Sequence, residues 1–176
     1  MTEADGTQRD STSGAGTNAR ALRARCIAVQ VGGALYGLPV DDVQEVMTPR
    51  ALTRVFHAPA ALAGVTSLRG EVLPVLDLGL LLGVSESTSA ADPCIVVVRE
   101  SAGPRRRAGL LVDALAGLRE LPEGGLASAP LTLGELARSL VAGVIADPPP
   151  CSVLSVSGIL DSPVLAALAG RAGEPT

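Results

Sequence analysis

The chain has 176 residues, 47% of them hydrophobic, with one Tyr, one Phe, no Trp and a formal net charge of −4. That length suits one domain, and its core must be built from Val, Leu, Ile and Ala. The acidic balance argues against nucleic acid as a partner, because binding a polyanion rests on a basic face.

Residues 1–24 are rich in Thr, Ser, Gly, Ala, Asp and Arg, with almost no large apolar side chain. Such a segment cannot repay the entropy of ordering, so a disordered tail is expected. Order is expected from Arg25. A strand over Cys26–Val31 leads through a turn to a second over Leu35–Pro39. Asp41 follows, then a strand containing Val43 and Val46. A hairpin over Ala63–Ser67 and Val72–Leu76 turns at Ser67-Leu68-Arg69-Gly70, and Leu78–Leu82 reads as a short helix. The sequence then runs through similar steps: strands over Cys94–Arg99 and Ala108–Val112, Asp113, a strand with Leu115 and Leu118, and a hairpin over Ala142–Ala146 and Ser152–Val156. Between these, Leu131–Leu140 reads as a helix with Thr132 as cap and Glu135 three residues on. Asp147-Pro148-Pro149-Pro150 reads as a stiff loop. Ser162-Pro163 supplies a capping hydroxyl and a first-turn proline for a last helix over Ser162–Ala169, and 169–176 is expected to be flexible.

The repetition is explicit in the residues. Cys26-Ile27-Ala28-Val29 matches Cys94-Ile95-Val96-Val97, and Gly37-Leu38-Pro39-Val40-Asp41 matches Gly109-Leu110-Leu111-Val112-Asp113. Gly64-Val65 matches Gly143-Val144, and Gly79-Leu80-Leu81 matches Gly158-Ile159-Leu160. Four matches in one order point to two similar half-barrels. Short strands with turn residues between them favour small closed barrels, which leave few exposed edges. The fold class is all-β, with one subdomain at roughly 33–90 and the other in the remainder.

The duplication serves as an internal control, since shared residues serve the fold. Asp41 and Asp113 recur at one point and read as turn or cap residues rather than catalysts. Glu45, by contrast, aligns with Gly117, and Arg69 with Pro148. The two charges of the first half are expected to meet across adjacent strands. An exposed pair contributes only about 0.2–1 kcal/mol, so its purpose would be to orient a guanidinium fork toward a partner.

Nothing in the chain reads as catalytic. His57, the single histidine, lies in the loop-like Phe56-His57-Ala58-Pro59 with no nucleophile pattern beside it. No phosphate-binding glycine loop is present. Cys26, Cys94 and Cys151 form an odd set without metal spacing and read as buried reduced thiols. Arg105-Arg106-Arg107 reads as a solvated hairpin tip, with contact to an acidic partner or a lipid head group as the alternative. No catalytic residue, metal or cofactor is expected. The most hydrophobic window, Leu62 to Val84, carries Arg69, Glu71 and Asp77 and should not span or insert into a membrane. With no signal-peptide pattern at the N-terminus, a cytoplasmic protein is expected.

These segments together resemble the CheW-like family of chemotaxis coupling proteins, from about Arg25 to about Leu168. The resemblance rests on YGLPVDDVQEV (Tyr36 to Val46), Thr53-Arg54-Val55, Ala58-Pro59, GVTSLRGEVLPVLDL (Gly64 to Leu78) and Leu82-Gly83 in the first half. In the second half it rests on Ile95–Val98, GLLVDAL and AGVIA. The family's usual NLRG stands here as Ser67-Leu68-Arg69-Gly70. The resemblance implies two intertwined SH3-like five-stranded barrels with a hydrophobic groove between them. It implies an adaptor that joins the cytoplasmic tip of a methyl-accepting chemoreceptor to the regulatory domain of a chemotaxis histidine kinase, at membrane-associated receptor arrays. By position, Val43, Glu45 and Arg69 would lie at the receptor-binding face, and Val65 and Leu68 would help line the groove. The kinase-binding residues are not identified: Leu126–Leu133 lacks the basic and aromatic residues that many relatives use there. The alternative is a divergent member that binds receptors but no kinase, as a competitor or spacer.

Overall fold

In a computed structural model of the protein, residues 24–84, 92–101, 106–129 and 134–171 are described, the side chains of 169–171 excepted. Ten strands form two five-stranded sheets. The first half contributes β1 (Arg25–Val31), β2 (Ala34–Pro39), β3 (Val43–Met47), β4 (Leu62–Leu68) and β5 (Glu71–Asp77). The second contributes β6 (Cys94–Arg99), β7 (Arg107–Val112), β8 (Ala114–Glu120), β9 (Val141–Ile145) and β10 (Cys151–Leu154). Short helices follow each hairpin: α1 (Leu78–Leu82) after β5, then α3 (Val156–Leu160) and α4 (Pro163–Arg171) after β10, with α2 (Glu135–Ser139) before β9. The expected all-β pair of barrels with short helices is the fold of this chain.

The halves are intertwined through exchanged hairpins. One sheet runs β3-β6-β7-β5-β4 and the other β8-β1-β2-β10-β9. Each is thus three strands of one half plus the leading hairpin of the other. Each exchanged hairpin joins the other half on both sides, by an antiparallel pairing (β6 on β3, β1 on β8) and a parallel one (β7 on β5, β2 on β10). In sheet terms one barrel takes 43–77 and 94–112, and the other 25–39 and 114–154.

Register explains which residues recur. Gly37 lies opposite Ala28, and Gly109 opposite Val97. A Cβ on Gly37 would meet Cys26 Sγ at 2.8 Å, and one on Gly109 would meet Ile95 Cγ2 at 2.7 Å. The structural counterpart of Cys26 is therefore Ile95, one residue on from the sequence match with Cys94. The helices shift by one as well: Leu78, Leu81 and Leu82 are buried on α1 where Val156, Ile159 and Leu160 are buried on α3. Asp77 caps α1 by accepting from the Leu80 N–H, and Ser155 caps α3 by accepting from the Gly158 N–H.

The recurring aspartates pin the exchanged hairpins. Asp113 Oδ2 accepts from the Gly32 N–H in the β1–β2 turn at 2.8 Å. Ser101, beyond β6, donates to the Asp41 carbonyl and to the Asp42 carboxylate. Both barrels close alike, by a bridge between Thr53 and Val65 in one and between Ala127 and Val144 in the other.

The largest apolar cluster lies between the barrels. Val29, Val31, Tyr36 and Leu38 of one sheet pack with Leu76, Val96, Val98 and Leu110 of the other and with α1 and α3. Each barrel also has its own filling. Leu68, Leu73, Val75, Ile95 and Val97 fill the first; Cys26, Ile145, Cys151 and Val153 fill the second. All three cysteines are free and buried. Cys26 and Cys151 act there as small apolar residues.

Several local expectations are corrected. Val156 is expected at the end of a strand but opens α3, because Ser155 caps a turn whose apolar residues fall at helical spacing. The helix expected over Leu131–Leu140 is described only as Glu135–Ser139, with Gly134 at its cap position; Thr132 lies outside the described residues. At the start of α4, Ser162 accepts with its carbonyl from Leu165 and Ala166, but its buried hydroxyl has no partner. α4 runs on to Arg171; the expected tail at 1–24 and the final residues fall, apart from Ala24, outside the described residues.

Candidate functional site

The β4–β5 hairpin turns in two residues, Arg69 and Gly70, with φ of 52° and 85°. Two left-handed residues match the twist of the flanking strands. Gly70 adopts that conformation freely, whereas Arg69 carries a Cβ penalty. A strained position of this kind is kept where its side chain matters. The Arg69 guanidinium is 72% exposed and reaches Glu45 on β3, its Nη2 3.2 Å from Oε1 and 3.3 Å from Oε2. Gln44 donates to the same carboxylate.

The pair meets, but not across adjacent strands as expected. β3 and β4 are the two end strands of the sheet order. They come together because the sheet curls until Thr53 bonds Val65 in both directions, at 2.9 Å each. The second barrel ties its hairpin with the charge placed differently. Arg119 on β8 donates to the carbonyls of Asp147 and Pro149 in the β9–β10 loop. There the guanidinium is spent on backbone, while Arg69 stands at the tip and faces outward.

Beside the ion pair lies a polar cleft of about 570 Å³, lined by Val43, Gln44, Arg69, Glu71, Arg99, Glu100 and Arg107. Arg99 and Arg107 stand directly opposite on β6 and β7. Like charges so placed repel, and Glu71 compensates by pairing with Arg107. Arg107 also borders a second, apolar groove of about 530 Å³, so the two depressions are contiguous. The groove runs between the first barrel and the α3–α4 segment. Val65, Val72 and Pro74 form one wall; Leu160, Leu165 and Leu168 form the other. Val72 is 73% exposed, an unusual position for a valine on a strand.

Arg106 sits on the rim of that groove. Its Nε and Nη2 donate to both oxygens of Glu100 at 3.1 Å each, and its Nη1 donates to Asp161 Oδ1 at 2.5 Å and to the Leu160 carbonyl at 3.4 Å. The carboxylates of Asp161 and Glu100 push the Arg106 pKa above its ordinary value. The basic cluster is thus not a solvated tip: Arg106 and Arg107 are both in ion pairs, with Arg107 in a strand. Arg105 lies outside the described residues.

The structure brings Val43, Glu45 and Arg69 together and places Val65 on the groove. Leu68 does not line it: at 5% exposure, it packs with Leu73, Val75, Ile95 and Val97 inside the first barrel. The sequence reading missed Val72, Pro74, Arg106, Leu160, Leu165 and Leu168. Only Leu165 and Leu168, three apart on a helix, carry a local signal; the others depend on long-range packing. Among the described residues no group of three or more His, Cys, Asp or Glu is placed to hold a metal ion, and no helix is long and apolar enough to cross a membrane.

A family model described as CheW-like domain matches residues 25–164. The probable chemotaxis protein CheW of Rhizobium etli is 30% identical over 120 residues, which are 68% of this chain and 76% of that protein. Protein FrzA of Myxococcus xanthus is 33% identical over 126 residues, covering 66% of this chain and 70% of FrzA. Chemotaxis protein CheA of Salmonella typhimurium is 35% identical over 117 residues, 63% of this chain but 17% of CheA, so that likeness is to one part of a larger protein. The scaffolding protein TtCheW from Thermoanaerobacter tengcongensis superposes with a TM-score of 0.69 over 79% of this chain and 88% of that one; at 23% identity this is a likeness of fold.

Proposed function

We propose that this chain, which belongs to the CheW-like domain family, presents the Glu45–Arg69 face and the adjoining groove to the cytoplasmic tip of a methyl-accepting chemoreceptor. The protein is a non-enzymatic adaptor of chemotaxis signal transduction that couples a chemoreceptor to a CheA-type histidine kinase. We place it in the cytoplasm, at membrane-associated receptor arrays. The kinase surface would be the regulatory part of a CheA-type protein that resembles this chain.

One observation carries the receptor assignment. The only hairpin tip described that holds an arginine in a left-handed conformation lies beside a polar cleft that runs into an apolar groove. A helix laid in such a groove buries one apolar stripe and leaves its polar side chains over the rim. Receptor tips are helical hairpins, so the shape and the polarity of the site both fit. Glu45 and Val43 hold the polar end, Val65 lines the apolar one, and Leu68 supports the turn from beneath. The second barrel spends its guanidinium on its own loop and offers no matching tip.

Val72→Asp tests the reading. The side chain is 73% exposed, so the change is expected to move stability by less than about 0.5 kcal/mol. Co-sedimentation with receptor-containing membranes is expected to be lost. Binding equal to wild type would overturn the assignment.

A further inference from the structure

The four hydrogen bonds that Arg106 donates divide two and two between sides that differ in exposure. Two go side-on, from Nε and Nη2, to Glu100, which follows β6, is 15% exposed and whose N–H also bonds the Arg106 carbonyl. That side is a sheltered, bidentate anchor of the kind that fixes guanidinium geometry. The Nη1 side faces the groove and holds Asp161, which is 64% exposed. An exposed carboxylate on an exposed edge is weakly held and open to replacement.

What Asp161 holds is the far wall. It closes α3 and is followed at once by α4, whose Leu165 and Leu168 line the groove. Between Asp161 and α4 stands Ser162, 3% exposed, with a hydroxyl that has no hydrogen-bond partner. A buried unsatisfied hydroxyl costs free energy that hydration would return. The joint between clamp and wall is therefore poised to move outward.

We infer that the Nη1 edge of Arg106 is an exchangeable carboxylate subsite of the groove: an aspartate or glutamate beside the apolar stripe of the docking helix displaces Asp161 and frees α4. The inference rests on the receptor reading above and adds to it a specific partner chemistry and a moving part. Arg106 is a positioning residue toward α4 and a contact residue toward the partner. Glu100 keeps the guanidinium in place throughout, so the exchange costs one exposed ion pair and gains another.

The test uses the full chain and a soluble hairpin-tip fragment of a methyl-accepting receptor from the same cell. Asp161→Asn removes the competing charge without changing shape. Its affinity for the tip is expected to rise about twofold to fivefold, the range an exposed ion pair spans. A wall residue needed only for packing would give the opposite sign, and unchanged or weaker binding overturns the subsite. Among tip variants with one acid neutralised, one should lose its advantage with the Asp161→Asn protein. In the absence of any receptor, amide exchange in α4 should be faster in Asp161→Asn than in wild type. Unchanged exchange overturns the latch. If Val72→Asp leaves tip binding intact, the receptor reading fails alone, and amide exchange in α4 then decides the latch independently.

Discussion

Arg69 and Glu45 touch although the strands that carry them stand at opposite ends of their sheet's strand order. Only a closed barrel allows that. The pair therefore reports barrel closure as much as local charge, and it fixes the direction of a guanidinium on a two-residue turn. With Arg69 72% exposed, the direct stabilisation is at most about 1 kcal/mol. Arg69→Glu should leave thermal stability nearly unchanged and lower receptor co-sedimentation about tenfold, the scale on which lost charged contacts act. Glu45→Arg should act in the same direction. The double reversal should recover part of the loss, and recovery of nothing would remove the pairing from the account.

The backbone at Arg69 yields a separate expectation. A non-glycine residue at φ 52° carries a penalty that Asn tolerates better. Arg69→Asn should therefore raise unfolding free energy by about 0.5–1 kcal/mol, the scale of relief at such positions, while weakening receptor binding. Urea denaturation and co-sedimentation on one preparation check both halves. A loss of stability would mean that the guanidinium holds the barrel shut more strongly than an exposed pair can.

Closure also makes two glycines irreplaceable. A Cβ on Gly143 would lie 2.5 Å from Leu126 Cβ and 2.9 Å from the Ala127 carbonyl; one on Gly64, at φ +151°, would lie 2.7 Å from the Thr53 carbonyl. These are the positions where each barrel's edges bridge. Gly64→Ala and Gly143→Ala should each cost about 2–4 kcal/mol through overpacking and backbone strain. Gly124→Ala, with open space around it, should stay within about 0.5 kcal/mol. Equal denaturation midpoints for all three would contradict the bridging geometry.

The Gly64-Val65 and Gly143-Val144 echo was legible in the sequence because closure imposes one local demand twice. All ten strands were legible for a similar reason, as β-branched runs between Gly and Pro; only the end of the last was misread, at Val156, because VLSVSGIL satisfies a strand pattern and a capped helix start alike. The hairpin exchange was not legible. β5 meets β7 and β10 meets β2 through contacts far apart in the chain, and no local pattern encodes a partner. The one-residue slip between Cys26 and Cys94 has the same origin, since register is set by Gly37 and Gly109 facing their neighbours. At the site, Glu45 and Arg69 stood out by lacking counterparts in the second half. Arg106 did not, because its meaning lies in Asp161, which only folding brings near.

Alkaline pH offers a test of burial in the inter-barrel core. Cys94 and Tyr36 both belong to the cluster between the sheets. Burial, aided by Asp92, pushes the Cys94 thiol above its ordinary value of 9.0, and burial pushes Tyr36 above its ordinary 10.0. The unfolded chain releases these protons at the ordinary values, whereas the folded chain retains them. The stability they contribute is therefore fully present below about pH 9 and falls as pH rises through the folded-state pKa values. From these two groups, urea midpoints should decline above about pH 9. Cys94→Ala should flatten the first part of that decline at the cost of a small cavity. A midpoint that holds steady to pH 10.5 or above, in the range where both side chains titrate when exposed, would place these groups in water and not between the barrels.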